Sequence, residues 1–221
     1  MILMHPIRAI LFDLDGTLAD TAGEIAAALE RAFASLGLSA LPEAEVRKLI
    51  GRGVASLVER ALQRLGATLH ADLATERFEH AYAQTVGTTA TLYPGAAASL
   101  ERLAGVGLPL GVVTNKARAF SVRLLERLGV AHRFGAIVCG DDGWARKPAA
   151  DMVLAACRQL GSAPAATLLL GDSANDVLAA RAAGCPVWCV PYGYNEGLPV
   201  ESLAADRIVA DLAEAADRIL G

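Results

Sequence analysis

Apolar positions along this chain follow two rhythms. Short runs rich in Val, Leu and Ile recur at Arg8 to Phe12, Leu108 to Thr114, Ala136 to Cys139, Thr167 to Leu170, Pro186 to Val190 and Arg207 to Val209. Each has the length and composition of a buried strand. Between them, helical spacing of apolar residues predicts helices over Ala97 to Leu103, Ala119 to Leu128, Met152 to Leu160, Ala174 to Ala183 and Leu212 to Leu220. Gly105, Gly129, Gly161 and Gly184 read as stops. Strand and helix in alternation is the rhythm of a parallel α/β sheet, so the expected fold class is α/β, a Rossmann-like parallel core flanked by helices.

One interval breaks the alternation. From Thr21 to Thr88 the periodicity is helical, with hardly any strand signal. Ile25, Leu29, Ala32, Phe33 and Leu36 make one apolar stripe, and Leu57, Val58, Ala61, Leu62 and Leu65 make another. Such stripes are ordinary core faces. Tyr93-Pro94-Gly95 has turn composition and marks the return to the sheet. The expected organisation is therefore an α/β core built from residues 1–19 and 91–221, with residues 20–90 inserted as a helical cap domain.

Composition narrows the partners. The 221 residues are 54% hydrophobic, ample for a core without covalent staples. A net charge of -4 offers no field for nucleic acid or anionic lipid, although a local basic pocket can still hold a small anion. The mean hydropathy of +0.39 is spread along the chain, and no apolar run approaches the ~20 residues of a membrane span. Met1 to Ile10 leads straight into the first strand with no cleavable leader pattern, so a cytoplasmic protein is expected. Cys139, Cys157, Cys185 and Cys189 lack CxxC spacing, and His5, His70, His80 and His132 are scattered away from them. That excludes a zinc site and reads the cysteines as small buried hydrophobes in a reducing compartment.

Sites in open α/β sheets lie beyond the carboxyl ends of strands, near where strand order reverses. Polar motifs stand at such ends here. Asp13 and Asp15 follow the first strand, and residues two apart in an extended chain point to one side, so both carboxylates can face one reaction centre. Asp13 suits in-line attack on phosphorus to give an aspartyl-phosphate, and Asp15 suits proton transfer to the leaving alkoxide and from water. A carboxylate and a phosphate repel, which calls for Mg²⁺ held by carboxylates, with Asp172 as a further ligand. Asp176, one helical turn on, can ligate directly, through water, or by orienting a neighbour. Thr114 and Asn115 can donate to phosphoryl oxygens, and Lys147 can place an ammonium on phosphate and nucleophile. Taken singly, each motif also has a plainer reading: a strand-end turn, a polar turn, a solvated helix start at Lys147-Pro148, a helix N-cap at Gly171-Asp172-Ser173. Together, in this order, they supply every part of a phosphoryl transfer.

The order Asp13-Leu14-Asp15-Gly16-Thr17, Thr114-Asn115, Lys147-Pro148 and Gly171-Asp172-Ser173-Ala174-Asn175-Asp176 resembles the haloacid dehalogenase superfamily of phosphohydrolases over nearly the whole chain. The helical insertion resembles that superfamily's cap class with a small α-helical bundle. The resemblance implies Asp13 as nucleophile, Asp15 as acid/base, Thr114 and Lys147 as phosphate ligands, and Asp172 with the main-chain carbonyl of Asp15 as Mg²⁺ ligands; Asn115 toward phosphate, and Asp13 and Asp176 toward the metal, are candidates from the residues themselves. Asp15 argues against the superfamily's dehalogenases and phosphonate hydrolases, which lack the second Asp. Phosphonate hydrolases also need a cap lysine, and Lys48 is the one lysine in the insertion.

Further stretches resemble the bacterial phosphoglycolate phosphatase branch: Ile50-Gly51-Arg52-Gly53-Val54, Leu57-Val58-Glu59-Arg60-Ala61-Leu62, Leu92-Tyr93-Pro94-Gly95, Thr114-Asn115-Lys116 and Tyr192-Gly193-Tyr194-Asn195. The function implied is Mg²⁺-dependent hydrolysis of a small phosphomonoester, 2-phosphoglycolate to glycolate and phosphate, by a monomer or homodimer. The alternatives are another small-metabolite or sugar-phosphate phosphatase, or a sugar-phosphate mutase, which shares the paired Asp residues. Arg52, between two glycines, is the candidate for reading the substrate carboxylate; its plainer reading is an exposed surface arginine.

Overall fold

The computed structural model describes residues 6–67 and 71–221, so His5 and His70, and the Met1 to His5 part of the leader argument, lie outside the described residues. The first apolar run forms β1 (Ala9–Phe12), buried at all four positions. Two short strands, β2 (Ala19–Asp20) and β3 (Thr91–Leu92), pair antiparallel on their own. The later runs form β4 (Leu110–Thr114), β5 (Ala136–Cys139), β6 (Thr167–Gly171), β7 (Val187–Cys189) and β8 (Arg207–Ile208). With β1 they make a six-stranded parallel sheet in the order β5-β4-β1-β6-β7-β8.

Strand order reverses at β1. Ile10 stands opposite Leu110 of β4 on one side and Leu168 of β6 on the other. The chain fills β4 and β5 first and then returns past β1 to β6, β7 and β8. The carboxyl ends of β1, β4 and β6 therefore meet at the switch point, where a ligand crevice belongs.

Between β2 and β3 the described residues form α1 (Ala22–Ala34), α2 (Glu43–Arg47), α3 (Val54–Arg64) and α4 (Ala71–Thr85), without a strand. The sheet strands are linked through α5 (Ala96–Gly105), α6 (Arg118–Arg127), α7 (Asp151–Gln159) and α8 (Ala174–Ala183), and α9 (Leu212–Leu220) closes the chain. Alternation along β1 divides the core: Ile10 and Phe12 pack on one face with α5, α6 and α9, whereas Leu11 packs on the other with α7 and α8. Burial on both faces is why the strands read as unbroken apolar runs.

The two helical stripes join the first of these clusters, with Ile25, Leu29, Phe33, Leu57 and Val58 buried in continuity with Ile10. Each such side chain contributes about 1.5–3 kcal/mol on burial. Tyr82 of α4 meets Phe120 of α6 edge to face at 5.0 Å between ring centroids. Its hydroxyl donates to Glu24 Oε1 at 2.7 Å, and Glu24 Oε2 accepts from the Gly87 and Ala90 amides at 2.8 and 3.2 Å. That buried carboxylate is thus fully partnered, and it pins α1 to α4 and to the chain returning toward β3.

One local feature departs from the sequence reading. The β2–β3 ribbon went unpredicted because two-residue strands carry no period to detect. Gly105 ends α5 as its last helical residue, and the left-handed turn comes two residues later, at Gly107 with φ +80°. All four cysteines are free and buried. No helix among the described residues is long and apolar enough to cross a membrane.

Candidate active site

Asp13 continues β1 by one residue, its amide donating to Leu170 O at 2.9 Å, before the chain turns back on itself. The turn depends on Gly16, which has φ +90° and where a Cβ would stand 2.6 Å from Asp172 Oδ2. A side chain there meets both a disfavoured backbone conformation and a carboxylate. Thr17, held by this turn, donates its hydroxyl to Asp172 Oδ1 at 2.7 Å. Across the site Gly193 lets a second loop cross directly over Asp172, and the Tyr194 amide donates to Asp172 Oδ2 at 2.7 Å.

Asp172 follows β6, and Ser173 caps α8. Asp176 completes that cap: its Oδ2 accepts from the Asp172 and Ser173 amides at 3.3 and 3.1 Å and from Ser173 Oγ at 2.7 Å. Its Oδ1 accepts from Lys147 Nζ at 2.6 Å. The same ammonium lies 2.9 Å from Asp13 Oδ1, which also accepts from the Leu14 amide at 2.7 Å. Asp13 Oδ2 accepts no hydrogen bond among the described residues.

Asp13, Asp172 and Asp176 bring carboxyl oxygens within 4.8 Å of one another, and all three residues are buried. Burial pushes the Asp13 carboxyl well above its ordinary pKa, against the pull of Lys147. Burial and the neighbouring Asp176 charge push Asp172 up to about 7, although the Tyr194 amide and Thr17 hydroxyl oppose this. Burial also works against the Lys147 charge, but Asp13 and Asp176 outweigh it and hold the ammonium above its usual pKa. Lys147 thus pairs with two of the three buried carboxylates, and Asp172 has no ion pair among the described residues. A hard divalent cation with oxygen ligands is what such a donor set accommodates, so these residues fit Mg²⁺. Both oxygens of Asp176 are already engaged, Oδ1 by Lys147 and Oδ2 by the Asp172–Ser173 turn.

Asp15 stands apart from this cluster. Its Oδ1 accepts from Thr21 Oγ1 at 2.7 Å, and Lys116 Nζ lies 3.0 and 3.1 Å from its two oxygens. The paired Asp residues are therefore held by different lysines, Asp13 by Lys147 and Asp15 by Lys116. Lys116 enters the sequence reading only within Thr114-Asn115-Lys116, without a role of its own, and its place beside Thr114-Asn115 is the only signal it offers.

Thr114 is buried beside Asp13 and Asp15 in the wall of one cavity. Asn115 is not free to donate to a ligand from its amide nitrogen: Nδ2 donates to Gly51 O at 2.9 Å and to Lys147 O at 2.8 Å, while its buried Oδ1 has no partner among the described residues. Arg52 is not brought to the carboxylates. Its guanidinium pairs with Glu196, with Nη2 2.9 Å from Oε2, and its side chain is 54% exposed. Arg60 Nη1 reaches the same carboxylate at 3.2 Å. Gly51 and Gly53 line the cavity, but Arg52 does not. That cavity, ≈ 40 Å³, has a polar floor at Asp13, Asp15, Thr114 and Lys116 and an apolar roof from the helical insertion.

A parallel sheet with carboxylates at its switch point and a helical insertion over them defines the class of the fold, and the chain belongs to the haloacid dehalogenase-like hydrolase family, whose model matches residues 10–190. It is 42% identical over 217 residues to a phosphoglycolate phosphatase of Yersinia pseudotuberculosis, covering 97% of this chain and 94% of that one. It is equally 42% identical over 215 residues to a phosphoglycolate phosphatase of Thiobacillus denitrificans, covering 96% and 95%. The crystal structure of a predicted phosphoglycolate phosphatase from Haemophilus somnus superposes with a TM-score of 0.91 at 30% identity, over 97% of this chain and 99% of the other. On this full-length likeness the chain is an enzyme, a phosphoric monoester hydrolase.

Proposed function

We propose that this enzyme is a Mg²⁺-dependent phosphatase that converts 2-phosphoglycolate to glycolate and phosphate through an aspartyl-phosphate on Asp13. The observation that carries the reading is the division of labour between two carboxylates. Asp13 keeps one oxygen free while Lys147 holds the other, and Asp15 is poised beside it in the same cavity. The small cavity supports a small leaving group, and the likeness to phosphoglycolate phosphatases over nearly the whole chain supports 2-phosphoglycolate in particular.

Asp13, the main-chain carbonyl of Asp15 and Asp172 are the groups that would hold Mg²⁺, whose charge offsets the repulsion between phosphate and carboxylate. Asp13 Oδ2 forms a bond to phosphorus as the bond to the ester oxygen breaks, with the Lys147 ammonium stabilising charge on the transferring group. Asp15 gives the departing alkoxide its proton and then takes one from the water that cleaves the aspartyl-phosphate. The Thr114 hydroxyl lines the phosphoryl pocket. Asp176 acts through Lys147, fixing the ammonium between nucleophile and phosphoryl group. Residues 20–90 act as a cap that keeps bulk water from the reaction. The four buried free thiols support residence in the cytoplasm.

The test is kcat/KM with Mg²⁺ for 2-phosphoglycolate, sugar phosphates, nucleotides and phosphonoacetaldehyde. A preference for 2-phosphoglycolate of about tenfold, 1.4 kcal/mol, supports the substrate. A flat profile or another preferred ester removes the substrate name and keeps the mechanism, and isomerisation of glucose 1-phosphate to glucose 6-phosphate makes the enzyme a mutase.

A further inference from the structure

Lys116 is a buried cation in the cavity for which hydrolysis at phosphorus has no evident need. Its side chain is 4% exposed, and its ammonium lies 3.0 and 3.1 Å from the two Asp15 oxygens. The Tyr82 ring lies 4.7 Å from it on another side. Among the described residues it has no hydrogen-bond acceptor besides Asp15. An ammonium has three N–H groups, and beyond the two Asp15 oxygens the Tyr82 face is a weak substitute for a charged acceptor.

The two lysines divide the site. Lys147 serves Asp13 and Asp176, the side where phosphorus is attacked. Lys116 serves Asp15, which must touch the ester oxygen to protonate it. In the phosphate ester of a 2-hydroxy acid, the carboxylate is carried by the same carbon as that ester oxygen. Whatever flanks Asp15 on the cavity side therefore meets the carboxylate. The other walls there are apolar, from Ile25, Ile50, Leu57 and Phe78. An anion placed against them without a partner loses its hydration uncompensated. Arg52, the cation that sequence spacing suggested for this task, is outside the cavity and paired with Glu196.

We infer that Lys116 is the specificity residue of this enzyme: its ammonium binds the carboxylate of a short carboxylated leaving group and selects 2-phospho acids over neutral alkyl phosphates. The inference deepens the proposed function and rests on it. Asp15 stays paired to the same ammonium, so the carboxylate of the leaving group and that of the acid share one cation where Lys116 lines the cavity.

The experiment compares 2-phosphoglycolate with ethyl phosphate, which has the same carbon count and no carboxylate, in wild type, Lys116→Met and Lys116→Arg. Inhibition by glycolate and by inorganic phosphate is measured alongside. The expected result is that the kcat/KM ratio of the two esters falls at least tenfold in Lys116→Met, about 1.4 kcal/mol, and is partly kept in Lys116→Arg. Glycolate inhibition is lost in Lys116→Met while phosphate inhibition persists. Equal losses on both esters with glycolate inhibition retained overturn the inference and make Lys116 a positioning residue for Asp15. Failure of the substrate reading looks different: wild type itself then shows no preference for 2-phosphoglycolate and no glycolate inhibition, which overturns both. Lys116→Gln repeats the comparison if Lys116→Met does not fold.

Discussion

Lys147 sets its ammonium 2.9 Å from Asp13 Oδ1, in a site where both side chains are almost wholly buried. Because the same ammonium also holds Asp176, removing it leaves two carboxylates facing each other without compensation. Breaking a buried pair in this way costs about 3–5 kcal/mol. Lys147→Met is expected to lower the urea midpoint accordingly and to reduce kcat by roughly 10²–10³. Wild-type stability together with wild-type turnover would show that the ammonium does neither job.

Asp13→Asn separates chemistry from stability. Burial already holds the Asp13 carboxyl far above its ordinary pKa, so the folded protein bears a cost for ionising it that an amide does not incur. The variant is expected to lose turnover by roughly 10⁴-fold while its melting temperature, measured without added metal, stays equal to wild type or rises. Substantial activity in the variant would end the covalent mechanism.

Added Mg²⁺ is expected to stabilise the wild-type enzyme by about 2.7 kcal/mol at a hundredfold excess over Kd, read as a higher Tm, and chelation should reverse both the shift and the activity. Asp172→Asn removes one carboxylate of the three and should lose most of that shift. An equal Mg²⁺ shift in wild type and variant would place the ion elsewhere.

Tyr194 ties the loop that crosses Asp172 to the start of the helical insertion. Its hydroxyl accepts from the Thr21 and Ala22 amides at 2.8 and 3.0 Å and donates to Asp20 Oδ1 at 2.8 Å. Tyr194→Phe strands buried backbone donors, at a cost of about 1–3 kcal/mol. Equilibrium denaturation should register that loss, and an unchanged midpoint would mean that other acceptors replace the hydroxyl.

Much of this molecule was legible in the chain alone. The strand runs and helix stripes came from burial periodicity, which a sequence displays directly because a parallel sheet covered on both faces demands continuous apolar residues. Asp13, Thr114 and Asp172 were legible for a related reason: each stands at or just beyond a strand end, and the parallel sheet carries those ends to one switch point, whereas Lys147, in the loop between β5 and α7, was legible through its place in the order of motifs. The β2–β3 ribbon, by contrast, left no trace in the pattern.

What the sequence by itself determined, then, is the inventory of elements and the carboxylates and lysine that follow them. Only the tertiary structure decided which cation faces which anion. Arg52 looked suited to a substrate carboxylate from its neighbours in the chain, yet it meets Glu196 across the fold, and Lys116, adjacent to a recognised motif, turns inward to Asp15. Long charged side chains have many rotamers of similar energy, and their choice is made by burial and by partners more than a hundred residues away, as at Lys116–Asp15 and Arg52–Glu196. Local spacing carries no record of that choice, so the assignment of charges within the site belongs to the fold.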